Sequence, residues 1–237
     1  MKKIIYPFVE NYLPALNVWG AKIFFDFIGF RAFLNNHPVF EDEFELNKIM
    51  QQLVTKYQTE IFIDIGSNVG IHGISMAKRN PKIEIKNVEP NPRLIKLQKK
   101  SIKKNQIKNI ELFGIALSDN EEDSILFMNN ASTGESSLIE LNHLKNQSKI
   151  RVQTNRLDNI FKSKNSYCVK IDVEGNELKG LLGAVNLLKY IKWLVVESSE
   201  LNSPEDTVKV LELLKLNGFK EIQFNTISRA NKVFEKK

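Results

Sequence analysis

Cysteine is nearly absent from this chain of 237 residues: Cys168 stands alone. One cysteine excludes an internal disulfide and any cysteine zinc site. It sits inside an apolar strand pattern, so it is expected to be a small core residue in a reducing compartment. Histidine is scarce as well, with three scattered copies that do not build a metal site, and no metal is expected. Long uncharged apolar runs are missing. The richest candidate, residues 15–34, is interrupted by Lys22, Asp26 and Arg31, which argues against a membrane-spanning helix. Pro7, Glu10 and Pro14 break the first apolar run after Lys2 and Lys3. No small-residue cleavage site follows, so the N-terminus is not expected to be a secretory leader. There is no internal repeat and no low-complexity linker.

What is present suits one large α/β domain. Hydrophobic residues make up 42% and charged residues 26%, ordinary values for a globular protein that can bury a core. The net charge is +6, and much of it lies in one run: Lys96, Lys99, Lys100, Lys103, Lys104 and Lys108. No aromatic is interleaved there, so nucleic-acid binding is not expected and a solvated helix face is the first reading. A pull toward anionic substrates or membrane surfaces is the alternative. Residues 1–40 form an N-terminal appendage rich in large apolar side chains, expected to be helical. The first reading is a cover on the catalytic domain or on a second subunit. The second is an amphipathic contact with a membrane surface. The expected location is cytoplasmic, with peripheral contact at the inner membrane face as the variant.

From residue 41 to 237 the pattern is a single domain. An amphipathic helix over 41–57 precedes strands at about 61–65, 83–88, 109–115, 167–172 and 193–197. Helices are expected from about 70, over 92–105, 177–188 and 204–216. Residues 118–157 read as a polar excursion, and 220–224 with 232–234 as a closing hairpin. Alternating β and α implies a doubly wound, mostly parallel sheet with an antiparallel end. Ligands bind such sheets beyond the carboxyl ends of the strands.

The first strand runs into a glycine turn, Ile61-Phe62-Ile63-Asp64-Ile65-Gly66-Ser67-Asn68-Val69-Gly70. Gly66 and Gly70 allow close approach of backbone to a ligand at a helix N-terminus. The spacing lacks the glycine at which a dinucleotide's pyrophosphate meets the backbone. Asp64 would repel a pyrophosphate and welcome a cationic amino group, which suits S-adenosylmethionine. Glu89, about 25 residues later at the end of the next strand, can take both ribose hydroxyls. Asp64, Glu89, Asp172 and Glu197 all fall at strand carboxyl ends.

The fourth strand ends in Val169-Lys170-Ile171-Asp172-Val173-Glu174-Gly175-Asn176-Glu177. Lys170 and Asp172, two apart, point to the same side. Asp172 can act as a general base on an attacking hydroxyl, or orient it. The structural alternative is a Lys–Asp pair with Glu174 or Glu177 capping a helix. Glu174 and His72 stand behind Asp172 as catalytic candidates.

At this level the sequence resembles the FkbM-type methyltransferases. Phe62 to Gly70 resembles the first family motif, Val88-Glu89-Pro90-Asn91-Pro92 the second, and Ile115-Ala116-Leu117-Ser118-Asp119 the third. Gly134 to Leu138 and Asn155-Arg156-Leu157-Asp158 resemble the middle region. Val169 to Glu177, followed by Leu182-Gly183-Ala184, resembles the most specific signature. The resemblance spans about residues 41–200. It implies a class I, Rossmann-like methyltransferase fold with a seven-stranded sheet, an S-adenosylmethionine cofactor, and O-methylation of a sugar, polysaccharide or secondary metabolite. It places Asp64, Gly66, Asn68 and Gly70 around the methionine part, with Ser67 where alanine is usual. Glu89 would hold the ribose with Asn91 nearby, and Ala116 and Leu117 would border the adenine. Ser136 and Ser137 would close over donor or acceptor. Apart from the resemblance, Lys170 and Glu197 are expected as further substrate contacts. His72 replaces a frequent aromatic. Two other readings compete: methylation of nucleic acid or an amine, motivated by the basic charge, and a non-catalytic scaffold, motivated by the aromatic N-terminus.

Overall fold

The computed structural model describes residues 15–26, 37–130, 136–140, 142, 147–162, 165–197, 203–227 and 230–237, the side chains of 37–40 excepted. Its centre is a seven-stranded sheet. The strands are β3 (Ile61–Ile65), β4 (Glu84–Val88), β5 (Ile110–Phe113), β10 (Tyr167–Ile171), β11 (Ile191–Glu197), β12 (Phe219–Ile222) and β13 (Asn231–Lys236). The order is β12-β13-β11-β10-β3-β4-β5. β5 through β11 pair in parallel, and β13 enters antiparallel between β11 and β12. β3 and β10 are buried at every residue, the continuous apolar pattern of parallel strands covered on both faces.

Strand periodicity sorts the sheet into two cores. Phe62, Ile85, Cys168, Trp193, Val195 and Val233 face α1 (His37–Lys56), which contributes Leu46, Met50 and Leu53. Ile63, Ile65, Val169, Ile171, Leu194 and Val196 face the other way. They meet Leu157 of α4 (Leu157–Ile160), Leu181 of α5 (Glu177–Leu182) and Val210 and Leu214 of α6 (Pro204–Leu216). Cys168 is fully buried. Because side chains alternate, Asp64, Lys170 and Glu197 share the α1 side with Phe62, Cys168 and Trp193.

Local chemistry sets the helix ends. α2 (Ile71–Arg79) starts at Gly70 in the left-handed region, φ 81°. In α3 (Pro92–Asn105) the Asn91 side chain accepts from the Arg93 N–H and proline occupies the first turn, the arrangement that satisfies an N-terminus. Ser203 caps α6 in the same way. The expected helix over 177–188 stops at Leu182, and a separate turn of 3-10 helix follows at Leu187–Lys189. A Cβ on Gly183 would lie 2.0 Å from the Ser118 carbonyl, so this crossing needs glycine.

Two segments differ from the sequence expectation. Over the described part of the N-terminal appendage, Leu16–Val18 (β1) and Ala21–Ile23 (β2) form an antiparallel hairpin, not a helix. Trp19 and Gly20 both take positive φ, 49° and 87°, the geometry of a two-residue turn matched to strand twist. Val18, Ala21, Ile23 and Phe25 alternate inward onto Ile74 of α2 and Leu94 and Leu97 of α3. The period is two, and aromatic density masked it. The rest of residues 1–36 lies outside the described residues. α1 begins at His37, inside the span assigned to the appendage.

The other difference is the polar excursion. β5 ends at Phe113, and Ala116–Leu117 (β6) joins Asp123–Asn129 (β7), Ser136–Ser137 (β8) and Gln147–Asn155 (β9) in a second sheet, order β6-β9-β7-β8. Leu126 and Val152 bury against Ala116. With one thin apolar face, these strands carry little hydrophobic signal.

Since Ile23 is fully buried between the hairpin and the helices, Ile23→Ala should cost about 2–5 kcal/mol in urea unfolding. A loss below about 0.5 kcal/mol would mean the hairpin is not part of the core.

Candidate active site

The turn after β3 is built around backbone close to backbone. Gly66 has φ 73°, and a Cβ there would fall 1.6 Å from the Asp172 carbonyl oxygen. The Asp172 N–H donates to the Ile65 carbonyl at 3.1 Å. Glycine at 66 therefore lets the ends of β3 and β10 touch, and Asp172 abuts the glycine turn. Asn68 also takes a left-handed φ, 52°. Beneath the turn the Gln98 amide donates to Ser67 Oγ at 2.9 Å and to the Asn68 carbonyl at 2.7 Å, and accepts from Asn87. Ser67, expected around a ligand, is part of this buried support. Gln98 escaped the sequence reading, although a polar residue at an apolar position of α3 is a legible signal.

Two carboxylates face the turn. Asp64 is fully buried; its Oδ2 accepts from the Gly73 N–H at 3.0 Å, and its Oδ1 has no hydrogen-bond partner among the described residues. Burial raises its pKa, opposed by Lys170, His72 and the Gly73 N–H. A buried carboxylate oxygen with no partner is costly, and a cationic donor would supply one. Glu89 follows β4. Its two oxygens accept from the N–H groups of Asn68 and Asn91, each at 2.8 Å. Burial pushes its pKa up to about 8 despite those two donors.

Lys170 organises the rest. It is 2% exposed, lies beside Asp64 in register, and its ammonium is 2.9 Å from Asp172. Burial works against its charge, but Asp172, Asp64 and Glu43 outweigh burial and raise its pKa. Glu197 shares a hydrogen bond with Asp172, and burial followed by the charge of Asp172 pushes its pKa up to about 9. At neutral pH Glu197 holds the proton, so it donates and Asp172 accepts. The Asp172 side chain is 26% exposed, open enough to meet a substrate.

Glu43 of α1 was not picked out by sequence: it sits on an ordinary amphipathic helix far along the chain. It accepts from His72 Nε2 at 2.6 Å, while Asn47 Nδ2 lies 3.2 Å from His72 Nδ1. An amide nitrogen only donates, so Nδ1 accepts and the proton sits on Nε2. Trp19 packs against the ring, centroids 5.2 Å apart. Burial opposes ionisation of Glu43, but the hydrogen bond from His72, with the charge of Lys170, holds its pKa below the usual value. In this arrangement both ring nitrogens of His72 are engaged, and the ring positions Glu43.

The remaining candidates divide. Glu174 has φ 50°, Gly175 has φ 99°, and the Glu174 carbonyl accepts from Ser137 Oγ at 2.5 Å. Ser137 thus ties the second sheet to the β10 turn with its own hydroxyl committed. Ser136 pairs with Met128 in β7. Glu177 accepts from the Gly175 N–H, one residue before the Asn176 N-cap, and the helix start has no side-chain cap bond. Ala116 and Leu117 are buried in β6, and the Leu117 carbonyl accepts from Asn176 at 2.7 Å. Among the described residues no group of three or more His, Cys, Asp or Glu is arranged to hold a metal.

Glu89 carries a pH signature. Its folded pKa lies above its unfolded value, so the folded state keeps a proton that the unfolded chain has released. Wild-type stability should therefore fall relative to Glu89→Gln between about pH 4.5 and pH 8, by up to about 1.4 kcal/mol per pH unit, and flatten above. Urea titrations of both proteins across that range measure the difference. A pH-independent difference would sink the assignment.

The model of the methyltransferase FkbM domain matches residues 64–221. No curated protein matches. Among solved structures, a protein described as a "putative O-methyltransferase" from Klebsiella pneumoniae is similar over 98% of this chain and 96% of its own, at 10% identity and TM-score 0.51. M. jannaschii TYW2, solved with AdoMet, covers 92% of this chain and 84% of its own, at 12% identity and TM-score 0.48. The fold is the Rossmann-like class I methyltransferase fold, and the family match spans from the Asp64 turn through β12. By that match the chain belongs to the FkbM methyltransferase domain family.

Proposed function

We propose that the protein transfers a methyl group from S-adenosylmethionine to a hydroxyl of a sugar, polysaccharide or secondary metabolite. The observation that carries this reading is the contact between the two halves of the site. Asp172, partly open, abuts the glycine turn whose Asp64 carries a buried, unpartnered oxygen. The donor set fits the cofactor: Asp64 suits its cationic amino group, and Glu89, with two backbone N–H groups already fixing it, suits vicinal hydroxyls. Bound there, the cofactor supplies an electrophilic methyl on a cationic sulfur.

The chain's own residues do the rest. Lys170 fixes the Asp172 carboxylate, and the protonated Glu197 donates to it. Asp172 would take the proton of an acceptor hydroxyl presented to the methyl group that the bound cofactor would supply. General-base help of this kind is worth about 10²–10⁴-fold. Alignment of oxygen, methyl and sulfur supplies the larger share. The glycine turn and the Gln98 support hold the donor side of that alignment.

Calorimetry with S-adenosylhomocysteine, with NAD as control, tests the cofactor: micromolar binding of the first alone is expected, and NAD binding would overturn the reading. Asp64→Asn should weaken S-adenosylhomocysteine at least tenfold. Asp172→Asn should leave that affinity within about twofold and lower turnover of a glycan acceptor by about 10²–10⁴. Full turnover by the Asp172→Asn variant would remove Asp172 from the chemistry. Transfer to RNA and not to sugars would replace the acceptor class.

A further inference from the structure

α3 begins at the crevice, where Asn91 caps it and its N–H meets Glu89. From there it carries six cations and no acid: Arg93, Lys96, Lys99, Lys100, Lys103 and Lys104. The five lysines are all exposed, while Leu94, Leu97, Gln98 and Ser101 are buried. At about 100° per residue the lysines share one side of the helix, opposite the buried stripe. None of the five forms an ion pair with a described residue. Surface lysines usually sit among acids; here the neighbouring elements add cations. Asn105, the last residue of α3, accepts from the Lys22 N–H of β2 and from Lys78 Nζ of α2, and the Lys22 and Lys78 side chains are exposed. The cationic surface thus extends from the crevice end of α3 across the hairpin and the end of α2.

We propose that this face docks the protein on an anionic lipid membrane. Charge complementarity gives the sign of the partner, since juxtaposed lysines are drawn to anionic headgroups. Two observations favour a bilayer over nucleic acid. First, α3 has no aromatic side chain on which a base could stack. Second, Asp26 is fully buried and paired with Arg93 in the first turn of α3, and the sequence continues from it as Phe27-Ile28-Gly29-Phe30-Arg31-Ala32-Phe33-Leu34. An aromatic, cation-bearing sequence continuing from Asp26, itself paired with the first turn of the basic helix, adds the second signal for interfacial binding. Because α3 starts beside Glu89, docking along α3 sets the crevice next to the lipid surface. The inference does not depend on the acceptor assignment.

Flotation of the full chain with vesicles of pure phosphatidylcholine, and with vesicles containing about 30% phosphatidylglycerol, tests it. Binding is expected to the anionic vesicles, to fall steeply between about 50 and 500 mM NaCl, and to be weak on the neutral ones. Each lysine near such a surface contributes about fivefold, so the triple variant K99Q/K100Q/K103Q should lose about 100-fold. Its thermal midpoint and its S-adenosylhomocysteine affinity should stay unchanged, which separates lost docking from lost folding. Equal binding to both vesicle types, no binding by the wild type, or undiminished binding by a folded variant would each overturn the proposal. Tighter binding to a generic RNA duplex through the same lysines would also overturn it and make the face a nucleic-acid surface.

Discussion

One buried ammonium holds the site together. Lys170 comes from β10, yet the carboxylates that keep it charged come from three different places, Glu43 from α1, Asp64 from β3 and Asp172 from the end of β10, with the protonated Glu197 of β11 beside them. An isolated buried lysine would give up its proton, and isolated buried carboxylates would take one up. Together they coexist only if every partner is in place, so the helix and strands are locked in a common register by charge as well as by apolar contact. Removing one member leaves an uncompensated buried charge, which is much more disruptive than never having built the pair. That constraint explains why the acids are not interchangeable. Asp172 sits closest to Lys170 and remains partly open; Glu197 is driven to hold a proton; Asp64 is left with an oxygen that has no hydrogen-bond partner among the described residues.

The N-terminal part of the chain takes part through a relay of contacts. Arg79 of α2 donates to the Trp19 carbonyl at the hairpin turn. The Trp19 ring packs on His72, and His72 holds Glu43, which in turn acts on Lys170. A hairpin that sequence would set aside as an appendage is thereby two contacts away from the carboxylates. His72 has value as a fixed tautomer with both nitrogens engaged, and a free base at that position would leave Glu43 without its partner.

How much of this was legible depended on the range of the signal. β3, α3, α6 and the closing hairpin were visible because each is written locally: an unbroken apolar run for β3, Asn91-Pro92 and Ser203-Pro204 for the helix starts, strand alternation at the end. The turn chemistry of Gly66 and Gly70 was visible too, as were the carboxylates at the strand ends, since a doubly wound sheet gathers its carboxyl ends whatever the details. The failures were of two physical kinds. β1–β2 has a two-residue turn at Trp19-Gly20, and its aromatic density resembles a helix face. β7 to β9 bury one thin face, so their alternation is weak. What no local pattern could supply was Glu43, because its role depends on where α1 lies against the sheet, and that is set by Leu46, Met50 and Leu53 packing on Trp193 and Val195.

The chain's two uses of lysine follow from the same electrostatics with opposite boundary conditions. Lys170 is surrounded by acids in a low-dielectric interior, where its charge acts over short distances and is scarcely screened. The lysines of α3 face water without acids, where each charge is weak alone but sums with its neighbours over about a Debye length, roughly 8–10 Å at physiological salt. The first arrangement is strong, local and specific to geometry. The second is additive, salt-sensitive and indifferent to side-chain detail. Crevice and basic face meet at Asn91 and Glu89, where α3 begins. The net charge of +6 therefore describes neither: the crevice concentrates carboxylates around one cation, and the flank concentrates cations around none. The first field favours a positive donor in the crevice, and the second is the one the proposed docking uses.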